Sequence, residues 1–339
     1  MSRDPHALLL LLTLSVGTPA VLGASGPEGA AKPELVEVRK IWDQAPHNAF
    51  TDLIRFRDRW YCVFREGQGH VSPDGTVRVI TSGDGRDWSS AALIALKGAD
   101  LRDPKITRTP EGRLMIVAAA ARDRKPSGEA RHQSMTWFSE DGRNWDEGHA
   151  VADADFWLWR VAWHEGAAYG VGYGCTSREK FVSLYRSRDG IAFDNILAHL
   201  FDPGYPNEAG LVFEDDGTLL CLLRRDESPR TGMLGSARPP YTNWTWRDLG
   251  VPIGGPQMIR LPDGRLVAAV RLYDGRVRTS LGWVDAKAAT FREFLALPSG
   301  GDTSYPGLVW HEGELWVSYY SSHEGKTSIY LARVKLPTR

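Results

Sequence analysis

The stretch TDLIRFRDRWYCVF (residues 51–64) runs apolar, turns at Arg57-Asp58-Arg59 and runs apolar again. Two short apolar runs separated by a few polar turn residues read as a β-hairpin. The same form returns five times. It appears as DPKITRTPEGRLMIV from Asp103, RVAWHEGAAYGVGY from Arg160 and EAGLVFEDDGTLLCLL from Glu208. It appears again as PQMIRLPDGRLVAAV from Pro256 and YPGLVWHEGELWVSYY from Tyr305. Matched positions at 52, 103, 160, 208, 257 and 305 are spaced by 51, 57, 48, 49 and 48 residues. A period near 50 with several strands per unit is the signature of a β-propeller.

A second hairpin lies between these. Ser82-Gly83-Asp84-Gly85-Arg86-Asp87-Trp88, Ser139-Glu140-Asp141-Gly142-Arg143-Asn144-Trp145 and Ser187-Arg188-Asp189-Gly190-Ile191-Ala192-Phe193 share the form S-x-D-G-x-x-aromatic, with weaker relics at Asp285–Phe291 and Asn243-Trp244. Ser and Asp bond turn backbone groups and Gly takes the left-handed position. An inner and an outer hairpin per unit predict an all-β, six-bladed propeller with four antiparallel strands per blade. Leu35–Ile41 is expected to close the last blade as its outer strand.

The 339 residues are 42% hydrophobic and 24% charged, with a net charge of -1. That composition excludes wholesale disorder and argues against a nucleic-acid partner, which would require a basic surplus. Arg3, the apolar run Ala7–Val16 and the small residues after it read as a cleavable signal peptide over 1–24. Residues 25–34 read as a flexible lead-in and 35–339 as one propeller domain. The expected location is secreted or periplasmic, with no membrane association after cleavage. Cys62, Cys175 and Cys221 are widely spaced in apolar contexts, which favours buried free thiols over disulfides or a zinc site. No metal or other cofactor is expected. Nucleotide-binding, zinc-protease and serine-hydrolase motifs are absent. Asn243-Trp244-Thr245 is an N-glycosylation sequon.

These features resemble the sialidase (neuraminidase) superfamily, whose propellers carry Asp-boxes (BNR repeats) like the three S-x-D-G turns. Pro206-Asn207-Glu208, Asp216-Gly217-Thr218-Leu219 and Leu223-Arg224-Arg225 resemble the segment with the catalytic glutamate and a substrate-binding arginine. Thr303-Ser304-Tyr305-Pro306-Gly307-Leu308 resembles the segment with the nucleophilic tyrosine, and Phe64-Arg65-Glu66-Gly67 the segment before the acid/base loop. The resemblance covers nearly all of the chain after the signal. It departs at one place: sialidases open the first inner strand with Phe/Tyr-Arg-Ile-Pro, and here the sequence is Asn48-Ala49-Phe50-Thr51-Asp52-Leu53. The arginine that binds the substrate carboxylate is absent.

Repeat geometry nominates residues independently. Inner strands of a propeller run alike along one channel, so Asp52, Asp103, Arg160, Glu208, Gln257 and Tyr305 are expected to converge. Wet channel mouths also tolerate polar groups for structural reasons. The following strands add Arg65, Arg224 or Arg225, and Arg271, whose forks suit carboxylates; Arg122 reads as a loop charge. Tyr305 and Glu208 are the expected nucleophile and its base. A neutral phenol avoids repulsion by an anomeric carboxylate, and sialidases are the known exception to the two-carboxylate rule. His70, Asp52, Asp103 and Asp74 are the candidates for general acid/base, in that order. Trp159 or Trp157 would stack on a sugar at the rim, whereas Trp163 reads as blade core; His47 reads as a loop residue near the channel mouth.

Three functions follow. The first is a retaining, exo-α-sialidase-like glycoside hydrolase that removes a terminal acidic sugar, either sialic acid or a related 2-keto sugar acid. The second is a lyase on a uronate polymer. The third is a non-catalytic carbohydrate-binding propeller. Each implies a glycan partner; oligomeric state is not legible.

Overall fold

The inner hairpins are all present in the structure, a computed structural model that describes residues 32–122 and 131–338. The expected signal peptide and most of the lead-in lie outside the described residues. The regular structure of the described residues is entirely β, so no helix is long and apolar enough to cross a membrane.

The first sheet joins β2 (His47–Phe56), β3 (Arg59–Gly67), β4 (Thr76–Ser82) and β5 (Ser89–Ile94). The next joins β6 (Asp100–Arg108), β7 (Leu114–Ala121), β8 (His132–Ser139) and β9 (His149–Val151). It is followed by β10 (Phe156–His164), β11 (Ala167–Gly174), β12 (Val182–Ser187) and β13 (Phe193–Phe201). A seven-stranded sheet comprises β14 (Pro206–Phe213), β15 (Leu219–Arg225), β16 (Thr231–Ala237), β17 (Thr245–Arg260), β18 (Leu266–Leu272), β19 (Arg278–Asp285) and β20 (Thr290–Ala296). Within it β17 serves twice: its first half pairs with β16, and its second half, from Ile253, pairs with β18. The last sheet has the order β1 (Glu34–Trp42), β23 (Ser328–Lys335), β22 (Glu314–Ser321), β21 (Thr303–His311). The amino-terminal strand thus closes the last sheet on its outer edge, as its position and β-rich sequence lead one to expect.

The pairing within every sheet is antiparallel. Strand β2 packs beside β6, β6 beside β10, β10 beside β14, β14 beside β17, β17 beside β21, and β21 back beside β2. The sheets therefore close into a ring around a channel, a propeller arrangement that leaves only short, protected edges.

Burial explains the sequence of each strand. Second strands such as β7 (LMIVAAAA) are covered on both faces and read as continuous apolar runs. Outer strands such as β13 and β20 leave several of their residues exposed. Adjacent sheets share cores: Val77, Val79, Leu101, Leu114 and Trp137 meet between the first and second. Trp60 stacks on Trp316, 4.4 Å between centroids, where the last sheet meets the first. At that seam Gly307 admits no side chain, since a Cβ would lie 2.2 Å from the Leu53 nitrogen.

The S-x-D-G turns join the third and fourth strands of their sheets. In each, the serine Oγ accepts the glycine N–H and the aspartate Oδ1 accepts the next two N–H groups. Gly142 takes φ +71°, and a Cβ there would strike the Tyr61 ring at 2.2 Å, so both the turn and the packing demand glycine. Cys62 and Cys221 are buried free thiols, and Cys175 is half-buried and also free.

Candidate active site

A bulge at one level of the ring builds the site. The pairing of each first strand with its second slips between Ala49 and Asp52, Arg102 and Lys105, Leu158 and Arg160, Pro206 and Ala209, Gly254 and Gln257, and Ser304 and Gly307. A bulge inserts an extra residue and re-aims a side chain. Phe50, Asp103 and Tyr305 are the first bulge residues of their strands, Glu208 the second of its own, and Trp159 the inserted residue of β10. Phe50, Asp103 and Tyr305 take the left-handed conformation at φ 64°, 51° and 49°. Such positions are costly for residues other than glycine and cluster at functional sites.

Tyr305 and Glu208 meet. The Tyr305 hydroxyl donates to Glu208 Oε1 in a very short hydrogen bond. Arg224 Nη1 lies 2.8 Å from the same carboxylate oxygen and 3.3 Å from the phenol oxygen. Gly255 N–H donates to Glu208 Oε2 at 2.7 Å. Asp226 in turn holds Arg224 Nε at 2.8 Å. On the other flank Arg271 lies over the Tyr305 ring at 5.1 Å and donates to the Thr303 carbonyl and the Tyr320 hydroxyl. Burial, reinforced by Glu208, pushes the Tyr305 phenol well above its ordinary pKa, and Arg224 and Arg271 only partly oppose this. Burial also pushes Glu208 up, but Arg224, the Tyr305 hydroxyl and the Gly255 amide together outweigh it and hold the carboxyl below its ordinary value. The resting pair is therefore phenol and carboxylate, the protonation state in which the acid group can take the phenol proton.

Asp103 is nearby and unlike the rest. It is buried, its Oδ1 has no hydrogen-bond partner, and burial raises its pKa against the pull of Arg102 and Lys105. A carboxyl raised on folding stabilises the fold only while it keeps its proton, a contribution lost as pH rises through its folded pKa. Asp103→Asn is accordingly expected to raise the urea midpoint at pH 7 and to match the wild type in acid, below the ordinary aspartate range. An unchanged or lowered midpoint at pH 7 would contradict that electrostatic account.

Several residues expected to converge do not. Asp52, Arg160 and Gln257 follow the bulge by one step and face the channel beneath it. Asp52 Oδ2 binds Arg160 Nη1 at 2.8 Å and the Ile106 N–H at 2.9 Å, a buried structural ion pair. All three line a cavity of about 800 Å³ that runs to the other end of the channel, past Trp163, Phe213 and Trp310. The matched level there also holds Lys105, which burial and Arg160 push down to about 8. Its Nζ donates to the Thr51 carbonyl and lies 4.8 Å from the Trp159 ring. Trp159, only 1% exposed, packs edge-on against Tyr305 and offers no face to a sugar. Trp157 is also buried and stacks on Tyr173.

Arg65 is not a ligand-binding arginine either. It is fully buried and holds Asp100 at 2.7 Å, the Gly69 carbonyl at 2.7 Å and Ser72. It pins the loop after β3. Arg225 binds Thr231 and Asp248 away from the centre. Asp74 is exposed and caps the Gln68 N–H, a turn residue. Asn48, near the place of the absent arginine, is tied to the Ala45 and Thr327 carbonyls.

Sequence reasoning missed Asp302, Tyr320, Arg102 and Phe50. Asp302 precedes Tyr305 by three residues and gathers His47 Nε2 (3.1 Å), His70 Nδ1 (2.7 Å) and the Tyr320 hydroxyl (2.7 Å). The donor atoms of His47, His70 and Asp302 lie within 4.8 Å, close enough to surround a cation. Arg271 Nη2 lies 3.8 Å from the same carboxylate and brings a positive charge to it. Arg102, whose position beside Asp103 was its only signal in sequence, spreads over Phe50 and Trp157, with its Nε 4.0 Å from Asp100 Oδ2.

No family model matches the chain, and no curated protein does. Solved structures do. A protein of unknown function from Dyadobacter fermentans is similar at 17% identity and TM-score 0.78, covering 90% of this chain and 99% of its own. An α-L-arabinofuranosidase from Fusarium graminearum matches at 12% identity and TM-score 0.69, over 89% and 98%. The NanB sialidase of Streptococcus pneumoniae matches at 11% identity and TM-score 0.67, over 88% and 70%. At these identities the likeness is one of fold, and it agrees with the ring of antiparallel sheets, a β-propeller.

Proposed function

We propose that the protein is a secreted or periplasmic, sialidase-like glycoside hydrolase that removes a terminal acidic sugar from glycans with retention. The neighbours that are a sialidase and an arabinofuranosidase agree with a glycosidase. We read the seven-stranded sheet as two blades sharing β17, which makes six blades. The observation that carries the activity is the Tyr305 hydroxyl bonded to Glu208 between two arginines.

Tyr305 would attack the anomeric carbon as Glu208 accepts its proton. A charged nucleophile would be repelled by a carboxylate on that carbon, whereas a neutral phenol is not. Arg224 and Arg271 would hold the carboxylate, with Arg102 replacing the missing first-strand arginine from the neighbouring sheet. Its place supports that role: it stands on β6 directly before Asp103 and lies over Phe50, the ring that packs against Tyr305. The test is product analysis by mass spectrometry against sialosides, other 2-keto-acid glycosides and uronate polymers. Release of a free ulosonic acid supports the reading. An unsaturated uronate would make the protein a lyase, and unchanged but bound glycan would make it a binding propeller.

A further inference from the structure

We infer that His70, oriented by Asp302, is the general acid/base of this reaction, and that the dyad takes the place of an aspartate in the loop after β3. The inference rests on the hydrolase reading above. The loop is rigidly presented, because the buried Arg65 guanidinium binds it at Gly69 and Ser72 on either side of His70. Within it, His70 Nδ1 lies 2.7 Å from Asp302 Oδ2. Asp302 is a firm anchor: its other oxygen accepts the Tyr320 hydroxyl at 2.7 Å, and that hydroxyl accepts from Arg271. His47 shares Oδ2 at 3.1 Å. Burial pushes the Asp302 carboxyl up, but the hydrogen bonds from His47, His70 and Tyr320 outweigh it and hold the group well below the carboxylate range.

An ionised carboxylate at Nδ1 requires the proton there and leaves Nε2 to the substrate. The site is asymmetric in the way a leaving group needs. His70 is 46% exposed at the mouth, whereas Asp103, the rival carboxyl, is 5% exposed. The His70 ring packs edge-on against Phe50 (5.1 Å), which packs edge-on against Tyr305 (5.1 Å), so the acid stands one ring away from the nucleophile. The charged and titratable groups around it are Asp302 from the segment before β21, His47 from β2, Tyr320 from β22, Arg271 from β18, and Arg102 and Asp103 from β6.

In the first step the Tyr305 oxygen bonds to the anomeric carbon and its proton passes to Glu208. The glycosidic C–O bond breaks, and the departing oxygen takes its electron pair and the Nε2 proton of the His70 imidazolium. In the second step the neutral imidazole removes a proton from water as the water oxygen bonds to the anomeric carbon. The tyrosyl C–O bond breaks, and the phenolate recovers its proton from Glu208.

The experiment compares leaving groups. A general acid contributes about 10²–10⁴-fold where the leaving group needs a proton. His70→Gln is expected to lose that factor in kcat/KM on an alkyl glycoside and less than tenfold on the 4-nitrophenyl glycoside of the same sugar. On the second substrate azide should accelerate turnover and yield a glycosyl azide. Asp302→Asn should reproduce the pattern at smaller amplitude, which a merely structural role would not. Equal losses on both substrates would overturn the assignment, as would the leaving-group pattern appearing in Asp103→Asn instead. Loss of wild-type activity on chelation, restored by a divalent ion, would assign His47, His70 and Asp302 to a metal and also overturn it. If the wild type hydrolyses no acidic-sugar glycoside at all, the hydrolase reading fails and the dyad with it. If the wild type is active and only the leaving-group pattern is missing, the dyad alone fails.

Discussion

Tyr305→Phe is expected to lower kcat/KM by about 10³–10⁶-fold on any glycoside the protein cleaves, with the fold intact. The substitution removes one oxygen. The ring keeps its contacts with Phe50, Trp159 and Tyr320, all at centroid distances of 5.1 to 5.8 Å. Glu208 keeps Arg224 and the Gly255 amide, so no buried charge is left unpaired. What is lost is the atom proposed to bond to the anomeric carbon. Glu208→Gln should cost a comparable factor, because the amide cannot take the phenol proton. Groups that act as one unit are non-additive, so the double variant should be little worse than either single one. Initial rates on the substrate found by product analysis, with thermal unfolding as the control for folding, decide it. Activity within tenfold of wild type in Tyr305→Phe would remove the tyrosine from the mechanism.

Asp52→Ala carries the largest expected loss of stability, about 3–5 kcal/mol, because it leaves Arg160 buried without its partner. It also takes the acceptor from the Ile106 N–H, a further cost of about 1–3 kcal/mol if that group stays dry. Replacing both charges, as Asp52→Leu with Arg160→Met, is expected to recover most of the first loss and little of the second. Desolvating the pair cost nearly as much as their attraction returned. Urea unfolding of the wild type, the single variant and the double variant gives these differences directly. If Asp52→Ala unfolds at the wild-type midpoint, the pair is not the buried bridge described. The variant also tests placement: folded Asp52→Ala should keep its activity on an activated glycoside within about tenfold, since Asp52 lies beneath the bulge level and touches neither Tyr305 nor Glu208.

Local chemistry was readable in the chain. The hairpin period announced itself because each hairpin is a contiguous run whose apolar pattern needs no distant partner. The Ser-Asp-Gly turns were readable because their hydrogen bonds close within five residues. Tyr305 and Glu208 could be named from their motifs, and burial of Cys62 and Cys221 from their neighbours in sequence. The closing strand could be anticipated as well, since a ring of sheets needs an outer strand from one terminus.

Position within the ring was not readable. A bulge shifts the register by one residue without marking the sequence. Asp52, Arg160 and Gln257 therefore looked equivalent to Asp103 and Tyr305, yet they stand one layer below them. Side-chain partners across the ring were equally hidden. Arg65 was nominated by type, and only the folded loop shows that its donors are already used by Gly69, Ser72 and Asp100. His70 and Asp302 lie 232 residues apart and meet only because β21 packs beside β2 when the ring closes. The local repeat pattern determined that this chain is a propeller, and the resemblance of two short motifs singled out Tyr305 and Glu208. Ring closure and the bulges decided which charges face that pair, because hydrogen bonding depends on distances that the order of residues does not contain.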